Sequence, residues 1–361
     1  MRAPPAAPHS AAFLITIDTE GDNLWGRPAT ITTRNAAFPP RFQQLCESFG
    51  FKPTWLTNHE MALDPAFVRF GRAAARRGAA EIGMHLHAWN SPPLLPLTDD
   101  DYRHQPYLME YPPEVIDAKI GALSQLLRER FDSPIVSHRA GRWGLNSCYA
   151  KALVRHGYMV DCSVSPGVSW AWVEGAPAGR GGSDYTRFPD HPYVMDLDRI
   201  DRPGISPLLE LPVSVIPSRL ALRAPWVYDV PGLRRWAWRH QPDRLWLYPD
   251  GRNLAHMLRV VEDALSTGRP CIELVLHSSE LMPAGGPSAR DAADIDRLYR
   301  DLRALFAVVA RSFVGMTLAE FRTAWLGSQA AAYASAFPGR SPSIDDLPCS
   351  PSKLRQGWPR T

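Results

Sequence analysis

The sequence predicts an α/β fold: a barrel of successive strand–helix units, interrupted by a long irregular stretch. Three observations carry that reading. Short apolar runs alternate with amphipathic helical patterns from Ala12 to Asp161 and again from Asn253 to Leu326, as parallel strands joined by crossover helices do. Acids, histidines and an arginine stand at the ends of several of those runs, and α/β barrels build their sites at the C-terminal ends of their strands. The length, 361 residues, divides into about 2.4 domains of ~150 residues, which one barrel with an insertion satisfies as well as two domains do.

The elements follow in order. Ala12–Asp18 is an apolar run closing on an acid, a buried strand. Glu20–Thr33 is polar and irregular. Phe42–Phe49 is helical, with Pro39 and Pro40 as its start signal, and Pro53–Thr57 is a second strand. Asp64-Pro65 pairs an N-cap residue with proline at the first helical position, opening a helix that runs to Arg77 and stops at Gly78. Glu81–Leu86 is a third strand, and Asn90–Pro113 a proline-rich loop. Glu114–Phe131 is an amphipathic helix with Val115, Ile120, Leu123, Leu127 and Phe131 on one face. Pro134–Ser137 reads as a strand, Asn146–His156 as a helix and Tyr158–Asp161 as a strand.

From residue 163 to 249 the alternation breaks. Gly, Pro and Trp scatter, and only Leu208–Val215 and Leu245–Tyr248 look like strands, so this region is expected to be an irregular insertion. Order then resumes with a helix at Asn253–Leu265, a strand at Cys271–Leu276, a helix at Asp294–Ala310, a strand at Phe313–Met316 and a helix to Leu326. Residues 1–11 are expected to be a disordered lead, 12–326 the barrel and 327–361 a flexible Ala/Ser/Pro-rich tail.

Composition excludes several classes. Proline, 35 residues, is about twice the usual ~5%, which rules out a long coiled coil and predicts many fixed loops. Twelve Trp suit a flat, polar ligand. The net charge of +3, from 40 Lys+Arg against 37 Asp+Glu, is too balanced to indicate nucleic acid or an anionic membrane. The five Cys (46, 148, 162, 271 and 349) are an odd number with no CxxC, so they read as reduced thiols of a cytoplasmic protein. No apolar run approaches the ~18 residues of a transmembrane helix, and the N-terminal residues lack the apolar core of a signal peptide.

Chemistry concentrates at four places. Asp18 and Glu20, at i and i+2, put two carboxylates on one side of an extended segment; the alternative is a pair of solvated loop acids. His85 and His87 share that spacing, and two imidazoles with a carboxylate suit zinc or a similar divalent ion; the alternative is two polar residues at a strand end. His277 follows an apolar strand and precedes Ser278-Ser279-Glu280, and Arg139 follows the strand at Pro134–Ser137. Trp25, Trp89 and Trp143 lie within a few residues of these positions and offer faces on which a sugar ring stacks, with ordinary packing as the alternative. Trp170 and Trp172 are candidates to cap the site. Asp161 is either an orienting acid or a turn acid before Ser163.

From Phe13 to Leu326 the chain resembles the polysaccharide deacetylase superfamily, the NodB-homology proteins. The resemblance is carried by FLITIDTEGDNLW, AAEIGMHLHAWNSPP, VSHRAGRWGLN, GYMVDCSV, LLELPVS and IELVLHSSELMP. The last string resembles the WalW-like subgroup. What the resemblance implies is a distorted (β/α) barrel of about seven strands that hydrolyses an N-acetyl, or O-acetyl, group of a sugar or glycan. It implies a divalent metal, zinc foremost and nickel or cobalt otherwise. By the same resemblance Asp18 is the catalytic base, Arg139 orients it, Glu20 and His85 hold the metal, and His277 protonates the leaving group. Two departures stand out. The acids are D-x-E where many relatives have adjacent acids, and the histidines are H-x-H where many relatives have H-x-x-x-H, with Trp89 in the fourth position. His87 as the completing ligand, a site with fewer protein ligands, and no metal at all are the readings left open. Three functions follow: a deacetylase of an intermediate in cell-surface polysaccharide metabolism, an amidohydrolase of a non-sugar amide or ureide, or a degenerate barrel that binds glycans without cleaving them.

Overall fold

β1 (Ala11–Thr19) is the strand around which the fold is organised. It is buried along almost its whole length because both of its faces are covered, which is why it reads as a continuous apolar run. Phe13, Ile15 and Ile17 face the surrounding helices, whereas Ala12 and Leu14 join a separate cluster inside the barrel. Thr16 and Asp18 continue the inward row. The structure is a computed structural model, which describes residues 11–26, 28, 30–173, 181–230, 232–233 and 242–336; the side chains of Trp25 and of residues 332–336 lie outside that description.

The strands that follow are β2 (Thr54–Thr57), β3 (Glu81–Leu86), β4 (Ser137–Ala140), β5 (Val160–Asp161), β6 (Tyr193–Val194), β7 (Leu209–Glu210), β8 (Val215–Pro217), β9 (Arg244–Trp246), β10 (Cys271–His277) and β11 (Phe313–Gly315). In the main sheet β10-β1-β2-β3-β4-β5-β7 are seven neighbouring strands, all paired in parallel. β6 adds antiparallel to β7, and β11 pairs with the start of β1. The β8–β9 hairpin spans the gap between β10 and β7: Val275 N donates to Leu247 O at 3.0 Å, and Leu247 N to Ser214 O at 3.1 Å. The result is a curled, mostly parallel sheet, the distorted barrel of about seven strands that the resemblance implied.

Helices pack outside it: α1 (Pro39–Ser48), α2 (Pro65–Arg76), α3 (Pro113–Phe131), α4 (Ser147–Arg155), α5 (Leu254–Thr267), α6 (Ala292–Val309) and α7 (Leu318–Ala336). α2 starts as its sequence dictates, with Asp64 Oδ1 accepting from Ala66 N and Phe67 N. Phe306 of α6 meets the rings of Phe13, Phe49 and Phe51 edge-on, contacts worth about 0.5–1.5 kcal/mol each beyond burial. Leu318, Phe321 and Trp325 of α7 pack in the inner cluster with Ala12, Leu14, Leu209 and Leu211. The interior is therefore apolar where the strands begin and polar where they end.

Three expectations are corrected. The strand expected at Pro134–Ser137 lies at Ser137–Ala140, because His138 and Arg139, too polar for a buried strand by pattern alone, are buried among polar partners. Arg139 thus sits within its strand, not after it. The stretch 163–249 is not wholly outside the barrel, since it supplies β6 to β9. β7 and β9 fall on the expected runs Leu208–Val215 and Leu245–Tyr248, whereas β6, two residues long, is too short for a periodicity to show. The last helix runs past Gly327 to Ala336; one glycine costs a helix only about 1 kcal/mol, and the Ala-rich run after it restores the propensity. Residues 1–10 and 337–361, most of the expected lead and tail, lie outside the described residues.

Candidate metal and acid–base site

The inward rows of β1, β3, β4 and β10 meet at the C-terminal end of the barrel. Register makes this so: Asp18 pairs with His277 across β1 and β10, and His85 with Arg139 across β3 and β4. Asp18, Glu20, His85 and His87 are all buried.

Glu20, His85 and His87 form one cluster whose donor atoms lie within 4.8 Å of one another. Glu20 Oε2 is 2.8 Å from His87 Nε2 and 3.5 Å from His85 Nε2, and the two Nε2 atoms are 3.2 Å apart. His85 Nδ1 lies 3.1 Å from Arg139 O. With its proton on Nδ1, His85 donates to that carbonyl and turns the Nε2 lone pair into the cluster, the outer-sphere contact that ligand histidines commonly make. His87 Nδ1 is buried without a partner among the described residues. Two imidazole nitrogens and a carboxylate oxygen converging in a buried space fit a divalent cation. Burial opposes the charge on Glu20, but its contacts with His85 and His87 and the nearby His277 hold its carboxyl well below the usual range.

The backbone of Glu20 is fixed from outside. Asn35 Nδ2 donates to Glu20 O and to Ser278 Oγ, each at 2.8 Å, and Glu20 N donates to Ser278 Oγ at 3.2 Å. Glu60 links the loops after β1 and β3, accepting from Gly21 N at 2.8 Å and from Asn90 Nδ2 at 3.1 Å. Burial raises its carboxyl to about 7.

Beside the cluster lies a second group. Arg139 is fully buried, donating from Nη1 to Asp18 Oδ1 and from Nη2 to Thr16 Oγ1, both at 2.7 Å. Its Nη2 also donates to Glu273 Oε1, and its Nε donates to Cys162 O at 3.0 Å. Burial would raise the Asp18 carboxyl, yet Arg139, with His85 and His277, brings it below its ordinary value. Burial also raises Glu273, to about 7, against the opposing pull of Arg139 and Thr16.

His277 Nε2 is 3.8 Å from Asp18 Oδ2 and 3.9 Å from Glu20 Oε1. On its other side Glu280 Oε2 lies 3.4 Å from Nδ1 and accepts from His277 N at 2.9 Å, while Tyr248 OH donates to Glu280 Oε1 at 2.5 Å. Burial alone would depress the imidazole; Glu280 first, then Glu20 and Asp18, push it up to about 9.

A cavity of about 390 Å³ opens over these groups, and Trp89, Trp143 and Trp170 line it. Trp89 lies 4.5 Å from Tyr102 in an edge-on pair, and Trp143 lies 4.9 Å from the Arg139 guanidinium. A second cavity of about 660 Å³ shares Trp143, Trp170 and His277 with it and continues along Trp246, Tyr248 and Arg244. Of the residues expected at the site, Asp18, Glu20, His85, His87, Arg139, His277, Trp89 and Trp143 come together. Trp25 is in a short 3₁₀ turn, its side chain outside the description. Trp172 is 73% exposed and lines neither cavity. Asp161 faces away from the centre, against His138 Nδ1 at 2.6 Å, so it orients a buried histidine of the barrel wall.

Sequence reasoning missed Glu273, Glu280, Tyr248, Asn35 and Glu60. Glu273 had a legible signal: a lone acid inside the apolar run Cys271–Leu276 is costly unless it meets a buried cation. Glu280 was also in view, three residues after His277 in the turn that His277 caps, whereas Asn35, Glu60 and Tyr248 approach the site through the fold.

No family model and no curated protein matches the chain. Solved structures do. A Mycobacterium smegmatis protein provisionally named a polysaccharide deacetylase aligns over 95% of this chain and 97% of its own, with 16% identity and a TM-score of 0.51. A peptidoglycan deacetylase mutant from Bacillus subtilis aligns over 92% and 100%, with 8% identity and a TM-score of 0.41. A family 4 carbohydrate esterase from Streptomyces lividans, in complex with acetate, aligns over 43% and 63%, with 14% identity and a TM-score of 0.29. The first of these shows that the fold of this chain is similar to that of the polysaccharide deacetylase type.

Proposed function

We propose that the chain is a metal-dependent hydrolase that removes an N-acetyl, or O-acetyl, group from a sugar or glycan intermediate of cell-surface polysaccharide metabolism. Within the polysaccharide deacetylases it is assigned to the WalW-like subgroup, with zinc as its ion and nickel or cobalt as substitutes. One juxtaposition supports this reading most: the Glu20, His85 and His87 donors lie beside an Arg139-paired Asp18, with His277 facing both groups.

Glu20 Oε2, His85 Nε2 and His87 Nε2 would hold the ion. When bound, such an ion supplies a water that ionises near neutral pH and polarisation of the acyl oxygen. Arg139 covers Asp18 Oδ1 and keeps the carboxyl ionised, which leaves Oδ2 to take the proton of the attacking water. His277, protonated at neutral pH and aligned by Glu280, donates from Nε2 to the departing nitrogen or oxygen. The faces of Trp89, Trp143 and Trp170 bound the cavity and orient the sugar ring.

The test is acetate release by the zinc-loaded protein from a panel of N-acetylated sugars, oligosaccharides and nucleotide sugars. Asp18→Asn and His277→Ala each abolish turnover while both proteins still fold, Asp18→Asn at a lower unfolding midpoint because it breaks the buried pair with Arg139. Release from non-sugar amides alone moves the assignment to an amidohydrolase. Glycan binding with no release on any substrate moves it to a binding barrel. Near-normal rates in either variant sink the two roles.

A further inference from the structure

The connection between β8 and β9 leaves the barrel at Pro217 and returns at Arg244, which lines the larger cavity together with His277. Its first part is anchored. Ser218 caps the helical turn Arg219–Arg223, accepting from Ala221 N at 3.1 Å; its hydroxyl lies 3.4 Å from that of Tyr228, and Val227 is buried. What this segment turns outward is apolar: Leu222 is 68% exposed, Trp226 58%, Val230 45% and Leu233 40%. Single exposed apolar residues need no explanation, but a run recurring every three or four positions does. Arg219 and Arg223 are exposed beside them, with no carboxylate partner among the described residues, and Asp229 is the one acid between Ser218 and Leu233. In sequence the same composition continues as Arg234-Arg235-Trp236-Ala237-Trp238-Arg239. The near balance of charge over the whole chain conceals this local excess.

We propose that the surface of Leu222, Trp226, Val230 and Leu233, flanked by Arg219 and Arg223, docks on an anionic phospholipid bilayer. The indole and aliphatic side chains enter the boundary between headgroups and acyl chains, and the guanidiniums meet the phosphates. Two exposed arginines against one acid, Asp229, leave a basic excess on this surface that matches anionic headgroups. Attachment is peripheral: no described helix is long and apolar enough to cross a membrane. Docking here sets the cavity wall at Arg244 beside the bilayer, so a lipid-anchored glycan is the substrate class that reaches it. That last consequence rests on the deacetylase reading; the docking itself does not.

The experiment is flotation of the full chain with vesicles of phosphatidylcholine, with or without one part in four of phosphatidylglycerol. The protein floats with the anionic vesicles, is released by salt, and partitions at least ~10-fold less onto pure phosphatidylcholine. The double variants Leu222→Ser/Trp226→Ser and Arg219→Glu/Arg223→Glu each lower partitioning onto anionic vesicles by ~10-fold or more. All four side chains are exposed, so both variants keep the wild-type unfolding midpoint and the wild-type rate on any soluble substrate. No flotation of the wild type overturns the proposal, as does flotation that both double variants leave unchanged. Self-association lost in Leu222→Ser/Trp226→Ser, without vesicle binding, overturns it in favour of a second copy of the chain. Vesicle binding without acetate release would overturn the deacetylase reading alone.

Discussion

Arg139→Met removes the cation that is hydrogen-bonded to two buried carboxylates and leaves the aliphatic stem in place. Arg139 is completely buried and bonds Asp18, Thr16, Glu273 and the Cys162 carbonyl. Without it Asp18 either stays charged with only His277, 3.8 Å away, to face it, or takes up a proton. Breaking a buried pair from one side costs about 3–5 kcal/mol. Protonating a carboxyl of pKa near 4 at pH 7 costs about 4 kcal/mol, from ~3 units at 1.36 kcal/mol each. The two routes agree. Glu273, already raised to about 7 with Arg139 present, adds little because it is half-protonated at that pH. The sign of the pH dependence follows. In the wild type the depressed Asp18 contributes stability above the ordinary aspartate value, lost as pH falls through the folded value. In the variant that contribution is absent, so the gap between the proteins narrows by about 1.4 kcal/mol per unit below pH 7, to roughly 1–2 kcal/mol at pH 5. The assay is urea unfolding of both proteins in chelator at pH 5 to 8, followed by Trp fluorescence. Arg139→Lys, which keeps the charge and loses the fork, loses less than Arg139→Met and guards against a variant that does not fold. A loss below about 1 kcal/mol at pH 7, or a gap that pH does not change, refutes Arg139 as the counter-ion.

Three further outcomes follow from neighbouring contacts. Gly141→Ala places a Cβ 2.5 Å from His87 Nδ1 and 2.6 Å from Leu86 O, so it displaces His87 and lowers zinc affinity about 10–100-fold by competition titration. Glu280→Gln removes the strongest of the influences that raise His277. The alkaline limb of the kcat/KM profile, near pH 9 in the wild type, therefore moves to lower pH, where an unmoved limb contradicts the assignment. Glu210, on β7 beside Asp161, is raised well above the ordinary value by burial and by Asp161. Its contribution to stability is full below the ordinary glutamate value and lost as pH rises towards and through the raised one, so Glu210→Gln flattens the decline measured by urea unfolding from about pH 4.5 upward.

How far the sequence reached depended on where the information lies. β1, β3 and β10 were legible because their apolar runs end on acids and histidines, and the strand-end position that Asp18, Glu20, His85, His87 and His277 share in sequence is where the structure brings them together. β4 was displaced by three residues because the hydrophobic pattern treats His138 and Arg139 as loop. Inside the barrel wall each has a buried partner that lies far away in sequence, Asp161 for one and Asp18 with Glu273 for the other. β7 and β9 showed as apolar runs, whereas β6 carries too few residues for alternation to register. Of the supports of the site, Asn35 and Glu60 are brought to it by the closed barrel, whereas Glu280 reaches His277 locally, three residues on.

The central claim is that Glu20, His85 and His87 hold one divalent ion, and the most direct measurement is anomalous scattering at the zinc edge from crystals grown with zinc. The account predicts one strong peak at about 2.0–2.2 Å from Glu20 Oε2, His85 Nε2 and His87 Nε2, and none in crystals of His85→Ala. No peak at these atoms, or an equally strong one that His85→Ala leaves in place, contradicts it.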